Sequence, residues 1–354
     1  MHRVLLTSLS CFWLLTSPDF AAQLPIRGLH CAAPLPEDVD LCARFIEDAL
    51  PKEGVNVLVL EFNYRYQYSS HPEVVDENPL SREEVKRLVE ACRKAGIKLV
   101  PQINCLGHQS WRQRTLGLLR AYPEFDETPG KYPNNEGIYC RSYCPLHPKV
   151  HDVLFHLIDE LADVCEADEF HVGMDEVFIL ADDDCPRCRG LNRAELFARE
   201  VRTLYDHLKQ SNRRMWMWGD RFLDGSITGI GRWEASLNDT APAIHMVPRD
   251  IVICDWHYDR PEPTFFHFAI HGFPVVSAPW RKPAVALGQL ELMLFARQHA
   301  SPGIRDRLLG VLQTTWQPMA AFVKAYYAKE APSVASVEAA LCFKELFREI
   351  RSRE

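Results

Sequence analysis

The segment "VNVLVLEF" (residues 55–62) is a nearly continuous apolar run, typical of a strand that is buried on both faces. "SREEVKRLVEACRKAG" (residues 81–96) follows it, opens with a serine and a glutamate at capping-box spacing, and ends at a glycine. Its apolar residues fall on one helical face. "IKLVPQIN" (residues 97–104) is the next strand-like run. This order predicts two parallel strands joined by a helix, the repeating unit of α/β folds.

The same alternation continues on both sides of this unit. Further strand-like runs are "IRGLH" (26–30), "EFHVG" (169–173), "RMWMWGD" (214–220), "IVICDWHY" (251–258), "FPVVSAPW" (273–280) and "LLGVLQTTW" (308–316). With the helical segments between them they make about eight βα units, which predict an α/β fold of the (β/α)8 TIM-barrel type. A doubly wound open sheet also alternates in this way, but no glycine-rich phosphate loop follows the first strand.

Composition and charge limit the classes of partner. The formal net charge is −8, and no run rich in lysine and arginine is present, which argues against nucleic-acid binding. No apolar stretch reaches the roughly 18 residues that a membrane-spanning helix needs. Hydrophobic residues make up 47% of the chain and charged residues 25%, as is usual for a globular domain.

The N-terminal segment departs from the globular pattern. "MHRVLLTSLSCFWLLTSPDFAA" (residues 1–22) has a basic start, an apolar stretch and small residues after it, which is the pattern of a secretory signal peptide. We therefore expect a signal at residues 1–22, a single catalytic domain at residues 23–354, and a secreted or periplasmic location. The alternative is an apolar helix packed on the domain of a cytoplasmic protein.

Four of the twelve cysteines lie in loop-like sequence as two close pairs. Cys140 and Cys144 belong to "YCRSYCP", and Cys185 and Cys188 belong to "DCPRC". Such pairs suit local disulfides in an exported protein, or a structural zinc site. The sequence leaves disulfides, bound zinc and free thiols open.

Active sites of (β/α)8 barrels lie at the C-terminal ends of the strands, so polar and aromatic residues near those ends are candidates. They are Arg27, Glu61, Asn104, His108, Asp175, Glu176, Trp218, Asp220, Trp256, Tyr258, Trp280 and Trp316. Indole rings beside carboxylates suit carbohydrate chemistry, because an apolar wall raises a carboxyl pKa and keeps a general acid protonated. Asp175 and Glu176 are therefore interpreted as glycosidase carboxylates. The alternative is that one of them faces outward or pairs with a barrel arginine.

The segment "HVGMDEVF" (171–178) resembles the His-x-Gly-x-Asp-Glu signature of glycoside hydrolase family 20, the β-N-acetylhexosaminidases. The family usually has a second glycine where this chain has Met174. "IRGLH", "LVPQINCLGH", "CPLHP" and "MWGDRF" are similar, in the same order, to other segments of the family and of its hexosaminidase D-like branch. The resemblance covers nearly the whole chain after residue 22.

The resemblance implies an exo-acting, retaining hydrolase for terminal β-linked GlcNAc or GalNAc in a glycan or glycoside. In this family the 2-acetamido oxygen of the substrate is the nucleophile and forms an oxazolinium-like intermediate, so no enzyme nucleophile is needed. Glu176 would be the general acid and base, and Asp175 would hold the acetamido N–H. No metal ion or cofactor is expected.

Further roles follow from the resemblance. Arg27 would bind sugar hydroxyls, Tyr258 would bind the acetamido oxygen, and His108 would lie near the acid. The remaining substrate-binding candidates are Trp218, Asp220, Trp256, Trp280 and Trp316. Two other classes stay open: a carbohydrate-binding pseudoenzyme on the same barrel, and a metal-dependent hydrolase, although the chain lacks His-x-His and His-Glu-x-x-His. The sugar epimer, the natural substrate and the oligomeric state are not determined by the sequence.

Overall fold

The computed structural model describes residues 24–329 and 333–353, and its centre is a closed barrel of eight parallel strands. The strands are β1 Ile26–Ala32, β2 Val57–Glu61, β3 Lys98–Cys105, β4 Glu169–Gly173, β5 Arg214–Trp218, β6 Val252–Trp256, β7 Val275–Ala278 and β8 Leu308–Pro318. Each strand pairs with the strands before and after it in the chain, and β1 also pairs with β8. This closure confirms the predicted (β/α)8 barrel and excludes the open sheet.

The helices that follow the strands pack around the barrel. They are α1 Val39–Asp48, α2 Arg82–Ala95, α3 Val150–Val164, α4 Arg193–Gln210, α5 Phe265–Ile270, α6 Pro283–His299, α7 Met319–Tyr326 and α8 Val334–Arg353. The longer loops add single helical turns and a hairpin of Ser110–Trp111 with Arg114–Thr115. None of the helices in the described ranges is long and apolar enough to cross a bilayer. The predicted signal at residues 1–22 lies outside the described residues, and the location therefore stays a prediction.

Local sequence explains where the helices begin. In α2 the Ser81 hydroxyl accepts the backbone N–H of Glu84, and the Glu84 carboxylate accepts the backbone N–H of Ser81 at 2.7 Å. This reciprocal capping box satisfies two of the N–H groups that a helix start leaves unpaired. The chain leaves the helix at Gly96, whose φ is +65°. α4 begins in a similar way, with the side chain of Asn192 accepting the N–H of Glu195.

Alternating side chains divide the apolar core into two parts. One cluster fills the barrel interior and contains alternate strand residues such as Val57 and Val59 of β2. The other contains the intervening residues, such as Leu58 and Leu60, together with the inner faces of the helices. Because successive side chains of a strand point to opposite faces, one strand supplies both clusters.

The ends of β3 and β4 approach each other closely at Gly173. The φ of Gly173 is +70°, and a Cβ atom there would lie 2.8 Å from the Asn104 Cα atom. A second close approach occurs at Gly107, where a Cβ atom would lie 2.9 Å from the Asp175 carbonyl oxygen. The backbone that leads into Asp175 and Glu176 therefore needs glycine on both sides.

We predict that Gly173→Ala destabilises the protein far more than the matched control Gly96→Ala. Both positions have positive φ, but a Cβ atom at Gly96 would meet nothing within 4 Å. Gly96→Ala should therefore cost about 1 kcal/mol for the backbone conformation alone. Gly173→Ala should cost roughly 1–3 kcal/mol more, because it overpacks the junction with β3. Urea unfolding measures both; equal losses would contradict the close approach.

Candidate active site

A cavity of about 820 Å³ opens at the C-terminal ends of the barrel strands. Its walls include residues at or just after the strand ends, which are Ala32, Glu61, Asn104, Asp175, Glu176, Trp256, Tyr258, Trp280 and Trp316. Loops add Trp111, Arg112, Tyr139, Trp233, Glu234 and further polar residues. Parallel strands bring their C-terminal ends to one rim, so side chains far apart in the sequence meet there.

Asp175 and Glu176 both line this cavity, although they are adjacent in the chain. The strand β4 ends at Gly173, and positive φ values follow at Met174 (+76°) and Glu176 (+49°). Outside extended conformation, neighbouring side chains no longer alternate between two faces. The backbone turn thus brings both carboxylates to one site, and neither faces outward.

His108 lies between the two carboxylates. Its Nε2 atom is 3.2 Å from Asp175 Oδ2 and 3.2 Å from Glu176 Oε2. Burial of the ring disfavours its charged form, but the Asp175 charge and the contacts with both acids raise the pKa of His108 well above 6.5. The side chain is therefore an imidazolium at neutral pH. The partner of the two carboxylates is this histidine rather than a barrel arginine.

Tyr139 adds a hydroxyl beside Glu176 that sequence reasoning missed. Burial is the main cause that raises the pKa of Tyr139, and the charge of Glu176 adds to it. The next residue, Cys140, has its Sγ atom 3.6 Å from the Glu176 carbonyl oxygen. Tyr139 lies in an irregular loop, where no periodic pattern marks a functional residue. Its closeness to Glu176 appears only after folding.

Asp220 supports the acid from behind and does not line the cavity. Its side chain is 2% exposed, and Oδ2 accepts the backbone N–H of Glu176 at 3.0 Å and the Arg221 Nε–H at 2.6 Å. Oδ1 accepts the Trp256 indole N–H at 3.3 Å. Burial raises the pKa of Asp220 to about 6, although Arg221 opposes the shift. The expectation that Asp220 binds substrate is therefore corrected: it positions Glu176 and Trp256.

Arg27 was also expected to bind substrate, and the structure corrects this. It lies near the start of β1, at the opposite end of the barrel from the cavity. Its Nε–H donates to the Gly54 carbonyl oxygen at 2.7 Å, and a guanidinium N–H donates to the Leu24 carbonyl oxygen at 2.9 Å. Five further residues at about 3.3 Å each separate it from the end of β1, or roughly 16 Å.

Trp218 is the third correction, because its indole lies in the barrel interior below the cavity. The side chain has no exposed surface, and its ring centre is 5.2 Å from that of Trp316 and 4.7 Å from that of His171. It also packs against His30 at 5.2 Å. Burial lowers the pKa of His30 to about 4 and that of His171 well below 6.5, so both rings are neutral. Trp218 is part of an uncharged floor under the cavity.

The aromatic wall is built by the other predicted residues. The rings of Trp256 and Tyr258 are 5.0 Å apart, and those of Tyr258 and Trp280 are 5.4 Å apart. The Tyr258 hydroxyl accepts the Trp316 indole N–H at 2.6 Å and lies 3.3 Å from the Thr314 hydroxyl, whose own proton goes to the Pro279 carbonyl oxygen at 3.0 Å. With the Thr314 proton bound to Pro279, the Tyr258 hydroxyl can donate its own proton to Thr314 Oγ1 or to a ligand in the cavity.

Two half-exposed indoles stand at the mouth of the cavity. Trp111 is 48% exposed and Trp233 is 42% exposed. Their ring centres lie 5.5 Å and 4.8 Å from that of Tyr139. Both come from loops, where a lone tryptophan gives no signal in the sequence. They add apolar surface next to Glu176 on the outer side of the cavity.

The donor atoms of His108, Asp175 and Glu176 lie within 4.8 Å of one another, which is close enough to hold a metal ion. A histidine must be neutral to coordinate a metal. The raised pKa of His108 favours the imidazolium instead. The positive charge between the two carboxylates thus comes from the imidazolium of His108.

We predict that His108→Gln lowers kcat/KM roughly tenfold to a hundredfold, because it removes the positive charge that lies 3.2 Å from both acids. The imidazolium stabilises the fold fully below pH 6.5, and this contribution is lost as the pH rises through the raised pKa. The stability difference between wild type and variant should therefore shrink as the pH rises. Denaturant unfolding across pH measures it, with exposed His299→Gln as the control. A difference that is constant with pH would contradict the imidazolium.

Comparison with known proteins agrees with the fold and with the family that the sequence resembles. The family model described as glycosyl hydrolase family 20, catalytic domain, matches residues 62–286, more than half of the chain. The barrel is similar to the structure of a Flavobacterium johnsoniae chitobiase, with a TM-score of 0.64 and 19% identity, over 94% of this chain and 52% of that one. At this identity the similarity is one of fold.

Two curated relatives match over shorter segments. A beta-hexosaminidase of Akkermansia muciniphila is 31% identical over 116 residues, which are 32% of this chain and 22% of that protein. A lacto-N-biosidase of Bifidobacterium bifidum is 27% identical over 153 residues, which are 42% of this chain and 12% of that protein. The chain thus matches less than a quarter of the length of either relative. From the match to its catalytic-domain model, the chain belongs to glycosyl hydrolase family 20.

Proposed function

We propose that this protein is an exo-acting, retaining β-N-acetylhexosaminidase that hydrolyses terminal β-linked GlcNAc or GalNAc with assistance from the 2-acetamido group. The observation that carries this proposal is the pair Asp175 and Glu176, which are adjacent in sequence and line one cavity. In a retaining glycosidase of the two-carboxylate type, the two acids lie on opposite sides of the bond that is cut. Two acids that are adjacent in the chain can instead act on different groups of one sugar, one on the acetamido group and the other on the glycosidic oxygen.

Asp175 is proposed to accept the acetamido N–H. Its Oδ2 atom faces His108, whereas Oδ1 is buried and has no hydrogen-bond partner among the described residues. A buried carboxylate oxygen without a donor is costly, and a substrate N–H would satisfy it. Positive charge spreads over the acetamido group as its oxygen attacks, so the carboxylate binds the transition state more strongly than the ground state.

Tyr258 is proposed to orient the acetamido oxygen. Its hydroxyl accepts the Trp316 indole N–H and lies beside Thr314 Oγ1, and a bound acetamido group can take the proton of Tyr258 in place of that oxygen. With Asp175 accepting the N–H and Tyr258 donating to the carbonyl oxygen, the acetamido group would be held near the anomeric carbon. Such positioning turns an intermolecular attack into an intramolecular one.

Glu176 is proposed to be the general acid and base. The acetamido oxygen bonds to the anomeric carbon while the glycosidic C–O bond breaks, and Glu176 gives its proton to the leaving oxygen. Glu176 then takes a proton from a water molecule, whose oxygen bonds to the anomeric carbon. The bond between that carbon and the acetamido oxygen breaks, which opens the oxazolinium-like ring and restores the acetamido group. Two displacements restore the original anomeric configuration. His108 and Tyr139 beside the carboxyl, and Asp220 at its backbone N–H, keep it in place.

Family membership and the relatives support the substrate class. The chain belongs to family 20, and it is similar to a beta-hexosaminidase of Akkermansia muciniphila over 116 residues. The indoles of Trp256, Trp280 and Trp316 offer faces for the apolar side of a sugar ring. A carbohydrate-binding pseudoenzyme would have the same cavity, and only turnover separates it from the enzyme.

We predict that the wild-type protein releases p-nitrophenol from the β-N-acetylglucosaminide, the β-N-acetylgalactosaminide or both, but not from the β-glucoside, which lacks the acetamido group. Glu176→Gln should lower kcat about a hundredfold to ten-thousandfold for a substrate with a poor leaving group, because its departure needs a proton. Exposed Glu136→Gln is the matched control and should keep full activity.

Two results would contradict these expectations. A near-wild-type rate of Glu176→Gln on a poor leaving group would make the acid assignment wrong. No turnover on any of the three glycosides, together with binding of an acetamido-thiazoline inhibitor, would replace the proposed enzyme by the pseudoenzyme.

A further inference from the structure

Outside the cavity, the described part of the chain brings together a second set of metal-type ligands. Glu127, Cys144, Cys185 and Cys188 are all buried, and their donor atoms lie within 4.8 Å of one another. They come from two loops: residues 106–149, between β3 and α3, and residues 174–192, between β4 and α4. The sequence offered Cys140 with Cys144 as a pair, but Cys140 instead contacts the backbone at Glu176.

The spacing of the donor atoms fits one tetrahedral ion. Cys185 Sγ lies 3.5 Å from Cys144 Sγ and 3.4 Å from Glu127 Oε2, and Cys188 Sγ lies 2.7 Å from Glu127 Oε1. Zinc–sulfur bonds of about 2.3 Å place tetrahedral ligands roughly 3.8 Å apart, so small shifts suffice. Three thiols, in contrast, cannot all pair with one another in disulfides.

The surroundings of the four ligands also favour a cation. Glu127 has no exposed surface, and among the described residues its carboxylate has side-chain hydrogen bonds only with the thiols of Cys185 and Cys188. A buried carboxylate without a positive partner is costly. The Asp182 backbone N–H donates to Glu127 Oε1 at 3.2 Å. Such outer contacts orient ligands around a metal ion.

We propose that Glu127, Cys144, Cys185 and Cys188 bind one structural zinc ion. Four protein ligands complete a tetrahedral site and leave no position for a substrate, so the ion stabilises structure and does not take part in catalysis. It ties the loop that follows Glu176 to the loop that carries Tyr139. The proposed site thus holds two sides of the cavity together and does not depend on which reaction the cavity performs.

The test is metal analysis of the full-length protein, purified under reducing conditions without added chelator. Elemental analysis should find about one zinc ion per chain. Replacement by Co²⁺ should give the intense sulfur-to-cobalt charge-transfer absorption of a tetrahedral thiolate site. Cys188→Ser should lose the zinc, whereas Cys342→Ser, a buried cysteine of α8, should keep it. Glu176→Gln should also keep it, which separates this site from the cavity.

If the Cys188→Ser variant fails to fold, the wild-type protein still tests the zinc site independently. Titration of its thiols with a mercurial reagent should release zinc to a colorimetric chelator in step with modification of the cysteines. Folded wild-type protein without zinc would overturn the proposal. So would a disulfide among Cys144, Cys185 and Cys188 in unreduced peptide maps, or full zinc content in Cys188→Ser.

Discussion

The turn after β4 is the constraint on which the cavity depends. The residue that ends β4 must be glycine, because a side chain at position 173 would collide with the backbone of Asn104 on the neighbouring strand. The chain then passes through positive φ at Met174 and Glu176, so two consecutive carboxylates reach the same cavity. Left-handed conformation at a buried methionine costs about 1–2 kcal/mol, which the surrounding packing must offset. In a regular strand these two neighbouring side chains would point to opposite faces, and the turn after β4 brings them to the same side.

Charge in the cavity is arranged around that turn. The imidazolium of His108 lies 3.2 Å from both carboxylates, while burial keeps His30 and His171 neutral below them. The positive charge of His108 therefore lies between the two carboxyl groups, and the floor of the barrel remains uncharged. In a site of low dielectric such a fixed arrangement is worth more than the same charges in water.

The sequence predicted the features that repeat or that end a repeat. Strand–helix alternation shows in the sequence as a short-range periodic pattern. The barrel, the carboxylates after β4 and the indole at the end of β6 could therefore be predicted from that pattern. Tyr139 and Glu127 were missed because they lie in long irregular loops whose course depends on tertiary contacts. Asp220 and Trp218 were placed at the correct strand end, but burial of a side chain is decided by neighbours from other strands. Arg27 was placed near a strand end and given its role by resemblance, but the first strand runs on to Ala32, so Arg27 lies near its start.

The most direct measurement of substrate assistance is the rate of hydrolysis as fluorine atoms are added to the acetyl group of the substrate. Fluorine withdraws electrons from the carbonyl oxygen that is proposed to attack, so kcat/KM should fall steeply and steadily from acetyl to trifluoroacetyl. Asp175→Asn should lower the rate for the acetyl substrate, because it weakens stabilisation of the developing positive charge. Rates that do not change across the series would mean that a group of the protein, or water, attacks the anomeric carbon, and would contradict the proposed mechanism.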